Sequence, residues 1–159
     1  ITNIGADWAA KIAETTWKVG GNAFNNIAKQ PAKIVYQNEI VSPVTTNTTD
    51  SKTEYRAKVG LIYASDYGFA VASSVWTDTL NSYNGEAIKN VNWMCMGLVE
   101  WTISRLADNA YYVFSVNYTG LVNNNYANYV LALRPVFYLS SSVNYVSGSG
   151  TAADPIRIN

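Results

Sequence analysis

The sequence predicts an α+β domain with short helices at its N-terminal end, long ordered loops in the middle and a β-rich C-terminal half. Three observations carry this expectation. Helix formers at helical spacing occupy residues 6–14, two-residue alternation of β-formers recurs after residue 99, and no internal repeat of a length that would build a solenoid or propeller is present. The chain has 159 residues, 48% hydrophobic and 13% aromatic, which fits a single domain over 1–159. A chain of this length buries about 68–70% of its unfolded surface, so it needs neither disulfides nor a metal to build a core.

Residues 6–14 predict a short amphipathic helix with Trp8 and Ile12 on its apolar face, and 1–14 is a helix or a connector to an upstream anchor. Thr15 to Val19 alternates toward the breaker Gly20-Gly21 and predicts a strand. Ile34 to Ile40 predicts a second strand, and Ser42 to Lys52, rich in Thr, Asn and Ser, an exposed and mobile loop. Tyr55 to Tyr63 carries β-formers up to Ser65-Asp66, whose side chains can cap a helix over 67–72. From Ser73 to Asn92 the pattern is irregular, and Trp76, Leu80 and Tyr83 are the anchors of an ordered loop. Val99 to Ser104, Tyr111 to Tyr118, Val130 to Leu139 and Ile156 to Ile158 predict strands separated by Asn, Gly and Ser clusters.

Composition excludes several kinds of chemistry. The chain has no histidine and one cysteine, Cys95, so it cannot assemble a Ser-His-Asp triad, a Cys-His pair or a histidine-bound metal. Cys95 lies among bulky apolar neighbours and is expected to be a buried thiol. Eleven acidic and eleven basic residues cancel, and no basic cluster offers the counterion release that nucleic-acid binding draws on. No run reaches the roughly 18–20 apolar residues a membrane span requires, so no direct membrane insertion is expected. No basic n-region precedes an apolar stretch, and any export signal or anchor would lie upstream of Ile1.

Five strings occur in a recognisable order: Val59-Gly60-Leu61-Ile62-Tyr63-Ala64-Ser65-Asp66-Tyr67-Gly68-Phe69-Ala70, Asn92-Trp93, Glu100-Trp101-Thr102, Leu133-Arg134-Pro135-Val136-Phe137-Tyr138-Leu139, and Gly148-Ser149-Gly150-Thr151 followed by Asp154-Pro155-Ile156. Together, over about Trp17 to Asn159, they resemble a family of Gram-positive bacterial surface domains with a C-type-lectin-like fold, often placed behind a pilin-type leader. The Glu-Trp-Thr and Arg-Pro-Val elements are also similar to those of formylglycine-generating enzymes and of the variable proteins of diversity-generating retroelements. The resemblance implies a C-type-lectin-like fold and an extracellular or cell-surface location. It does not carry over a metal activity, because one cysteine cannot form a thiolate pair and the calcium motifs Glu-Pro-Asn and Trp-Asn-Asp are absent.

Glu100 and Thr102 of the Glu-Trp-Thr strand point one way and Trp101 the other. Glu100 lacks the second carboxylate that glycoside hydrolysis requires, so it is read as structural, with Trp101 beside it. Arg134 stands in an apolar run where its charge must be paired, and Glu39 or Glu100 is the expected partner; Pro135 marks an edge or a bulge. Trp8, Trp17, Trp76, Trp93 and Trp101 are read as core residues. The other acids are scattered and build no calcium loop. No catalytic residue, metal or cofactor is assigned.

Residues 109–129 crowd tyrosine and asparagine together, the composition of paratopes, where tyrosine gives rigid contact area and asparagine adaptable hydrogen bonds. The same bias is left by adenine-directed mutagenesis of asparagine codons. Alternation along 111–118 places Tyr112, Phe114, Val116 and Tyr118 toward the core, leaving Tyr111, Ser115 and Asn117 outward, joined by the loop residues Asn123, Asn124, Asn125, Tyr126 and Asn128. The expected function is a non-enzymatic, calcium-independent, surface-displayed adhesin or receptor-like module binding an extracellular protein or glycan, in the manner of a retroelement-diversified protein. The alternative is the globular head of a pilin-like structural subunit, a homo-oligomer through a pilus or surface assembly.

Overall fold

A computed structural model describes residues 5–22, 27, 29–43 and 53–159. Among these the chain is mixed helix and antiparallel sheet, an α+β arrangement. The elements are α1 (Ala6–Lys11), β1 (Thr15–Lys18), α2 (Ala32–Tyr36), β2 (Glu54–Ala57), β3 (Gly60–Leu61), α3 (Ala64–Phe69), α4 (Glu86–Lys89), β4 (Glu100–Arg105), β5 (Tyr112–Val116), β6 (Val122–Tyr126), β7 (Pro135–Val136), β8 (Tyr145–Ser147) and β9 (Arg157–Ile158). The loop expected over 42–52 falls mostly outside the described residues.

The strands form one three-stranded sheet, β4-β5-β6, and three two-stranded pairs, β1-β2, β3-β7 and β8-β9. In the larger sheet Val116 stands opposite both Glu100 and Val122, and Tyr112 opposite Tyr126. The burial of Glu100, Thr102 and Ser104 alternates with half-buried Trp101, Ile103 and Arg105, so one face of β4 looks inward. Against that face lies α3, on which α2 packs in turn, and the core gathers Ile27, Val35, Ile62, Tyr67, Leu80, Tyr83, Leu106, Phe114, Val116 and Val122. Its two buried phenols are satisfied: Tyr67 donates to the Gly120 carbonyl at 2.7 Å and Tyr83 to the Gly68 carbonyl at 3.0 Å.

Several expectations are corrected. Ile34 to Ile40 is not a strand but α2 followed by a π-helical turn, Gln37–Val41. Its buried residues Ala32, Val35 and Glu39 follow helical spacing, while Ile34 and Tyr36, which alternation would have buried, are exposed. The helix expected over 67–72 lies a turn earlier as α3, with Asp66 accepting the Tyr63 N–H at 3.1 Å from inside its first turn. Helix α1 buries nothing; Trp8 is exposed and Ile12, just past its end, is the buried residue.

The strand expected over 130–139 is reduced to β7, because Pro135 offers no N–H and Arg134 is turned inward. On either side of β7, Ala132 bridges Glu100 and Leu139 bridges Ile12. Asn123, Asn124, Asn125 and Tyr126, expected in a loop, belong instead to β6; the hairpin turn is Asn117 to Leu121, closed by the Asn117 N–H donated to the Leu121 carbonyl and by Gly120 at φ 99°, where a side chain would be strained. Cys95 is half-buried against the core rather than enclosed by it.

Candidate functional site

Two polar nodes hold the interior. Arg134 donates through Nε to Glu100 at 3.1 Å, through one terminal nitrogen to the other Glu100 oxygen, and to the Met94 carbonyl. This fork ties the segment before β7 to β4, and Trp101 beside it is half-buried with its backbone N–H donated to the Ala132 carbonyl at 3.0 Å. Burial pushes the Glu100 carboxyl above the usual glutamate range, with the Arg134 guanidinium pulling it partly back.

Glu39 is elsewhere, fully buried in the π turn, where it accepts the Ser65 N–H at 3.2 Å and the Ser104 hydroxyl. Desolvation dominates those bonds and pushes its carboxyl up to about 7. The arginine's partner is therefore Glu100 and not Glu39.

The tyrosine–asparagine stretch divides. At one end of the β5-β6 hairpin Tyr111 is 74%, Tyr126 46% and Tyr129 51% exposed. The rings of Tyr112 and Tyr126 lie 4.4 Å apart and those of Tyr126 and Tyr129 5.8 Å apart. Tyr111, Tyr126 and Asn128 share with Ala110 and Ala127 a recess of 220 Å³. Backbone bonds hold this end: the Ala127 N–H donates to the Tyr111 carbonyl at 2.9 Å and the Tyr129 N–H to the Tyr126 carbonyl at 3.0 Å.

The remaining residues of the expected site do different work. Ser115 is buried, not outward, and accepts the Asn125 amide at 2.7 Å, which occupies Asn125 as well. Asn117 is half-buried and its side chain accepts the Thr119 N–H within the hairpin turn. Asn123 is exposed and bonds its neighbour's N–H, Asn124 is half-buried, and Tyr118, expected in the core, is exposed.

A second concavity was not anticipated. Trp17, Ile62, Asp66, Phe69, Ala70, Trp93, Met94, Val136, Phe137 and Tyr138 enclose an open recess of 370 Å³. Of the five tryptophans read as core, only Trp17 is buried; Trp93 is 80% exposed. Its exposure does not come from slack backbone. Asn92, buried beside it, donates to the Tyr67 carbonyl and accepts the Met94 N–H, both at 3.0 Å, and so pins the turn that presents the indole. Asp66 reaches solvent at the margin, but its apolar surroundings desolvate it enough to raise its carboxyl above the usual aspartate range, opposed by the Tyr63 N–H.

Among the described residues no group of three or more Cys, Asp or Glu could hold a metal ion, and no helix is long and apolar enough to cross a membrane. Comparison with family models, curated proteins and solved structures gives no match to the chain.

Proposed function

We propose that this chain is a non-enzymatic recognition module displayed at the cell surface, which binds an extracellular protein or glycan without calcium through the tyrosine-rich end of the β5-β6 hairpin. The observation that carries the reading is the exposure of Tyr111 and Tyr126 around one recess on a hydrogen-bonded hairpin, with the exposed ring of Tyr129 beside that of Tyr126. Exposed, backbone-anchored tyrosines lose little entropy on contact and are the residue type that dominates binding energy in interfaces. The finer architecture we assign is C-type-lectin-like, with which the α+β arrangement is compatible. In that setting the asparagine and tyrosine codons of 109–129 are the positions a diversity-generating retroelement would vary.

The test is a screen of the wild-type chain against glycan arrays and displayed extracellular proteins, run once with EDTA and once with calcium and repeated with the double variant Tyr111→Ala/Tyr126→Ala. The variant is expected to keep its melting temperature and to lose at least about tenfold in affinity for any ligand found, roughly 1.4 kcal/mol. A ligand that binds both forms equally, or only with calcium, contradicts the proposal.

A further inference from the structure

The recess beside Trp93 is built from a different set of residues than the tyrosine-rich face, and its ligand does not depend on the function proposed for that face. We infer that this recess is a binding site for a small organic ammonium cation carrying an apolar body. Its volume, 370 Å³, is within the range of small-ligand pockets, about 300–1,000 Å³. Its walls are aromatic: Trp17, Phe69, Trp93, Phe137 and Tyr138. Three of these are substantially open to solvent, Trp93 at 80%, Tyr138 at 57% and Phe137 at 40%. Ring faces attract cations, and indole does so most strongly.

Charge selects among apolar ligands. The one ionisable acid lining the recess is Asp66, and among the described residues no lysine or arginine forms an ion pair with it. One of its oxygens accepts the Tyr63 N–H, and the other has no hydrogen bond among the described residues. The cations nearest in sequence to the lining residues are paired elsewhere: Arg134 with Glu100 and the Met94 carbonyl, and Lys18 with Glu54. A partly desolvated carboxylate without a counter-charge, set in an aromatic wall, is complementary to an ammonium group and repels a carboxylate or phosphate. A sugar would need several directional partners, and beyond Asp66 the lining side chains supply little except the Tyr138 hydroxyl and the indole N–H groups. The Trp17 N–H is already donated to the Ala57 carbonyl.

Phenethylammonium and 2-phenylethanol are near-isosteres that differ in charge, and phenylacetate reverses it. Each is titrated at neutral pH and followed by tryptophan fluorescence, since Trp17 and Trp93 line the recess, and by calorimetry. Phenethylammonium is expected to bind at least about tenfold tighter than the alcohol, and phenylacetate more weakly than either. Asp66→Asn keeps an oxygen for the Tyr63 N–H, so the first turn of α3 stays capped while the charge is lost; it should reduce the cation to the alcohol's affinity. Trp93→Ala removes an exposed ring and should weaken both ligands without lowering the melting temperature. Equal binding of cation and alcohol, preference for the anion, an unchanged affinity in folded Asp66→Asn, or no binding of phenethylammonium at millimolar concentration would each overturn the inference.

Discussion

Glu39 makes the fold's stability depend on pH. Its carboxyl is fully buried in the π turn, held by one backbone N–H and one hydroxyl and, among the described residues, by no cation, so the neutral acid is the form that suits the native state. A carboxyl moved from 4.5 in the unfolded chain to about 7 in the folded one contributes stability that is fully present below the unfolded value. That contribution is lost progressively as pH rises from about 4.5 through about 7. At 1.36 kcal/mol per pH unit, the loss is on the order of 3 kcal/mol. Glu39→Gln supplies one acceptor and one donor side, as the protonated acid does, and cannot ionise. Urea unfolding at several pH values between 4.5 and 8 compares the two proteins. The wild type should lose roughly 3 kcal/mol more than the variant across that interval, while the raised carboxyls of Asp66 and Glu100 act equally in both and cancel. Parallel stability curves for the two proteins would refute the reasoning, because they would mean that Glu39 ionises in the native state at no cost.

Two further outcomes are expected. Arg134→Ala leaves Glu100 and the Met94 carbonyl without their donor, and removing one partner of a buried pair costs about 3–5 kcal/mol, read as a fall in the urea midpoint; a variant as stable as wild type would show that the pair is open to water. Gly60→Ala would place a Cβ 2.7 Å from the Trp17 indole, a ring held by its hydrogen bond to Ala57 and by Tyr138 at 5.4 Å, so overpacking should cost about 1–3 kcal/mol in thermal or urea unfolding.

Local signals were legible where residue type and period agree. The strand of Glu100, Trp101 and Thr102 was readable from its alternation, and the inward turn of Arg134 from the improbability of a lone guanidinium in an apolar run. Ile34 to Ile40 misled because its apolar residues fit both periods; the helix is decided by Ala32, Val35 and Glu39, and a buried glutamate carries no hydrophobic signal. Trp93 misled for a related reason. Tryptophan in an apolar string reads as core, and its exposure follows from Asn92, which folding ties to the distant Tyr67 carbonyl while its other bond fixes the local turn at Met94.

Composition and periodicity by themselves determined that this chain mixes helix and sheet, that it holds no histidine and no second thiol to pair with Cys95, and that tyrosine and asparagine concentrate in residues 109–129. They could do so because these properties depend on residue type and on neighbours a few positions away. Only the tertiary structure decided which tyrosines of that stretch reach solvent: Ser115, between β4 and β6 in the central strand, is buried, while Tyr118, past the end of β5 in the hairpin turn, is exposed. It alone decided that Arg134 pairs with Glu100 rather than with Glu39, and that Trp17, Asp66, Trp93 and Tyr138 enclose one recess. Those residues come from four separate stretches of chain, and burial, which sets both a carboxyl's charge and a ring's availability, is a property of how stretches pack rather than of any one of them.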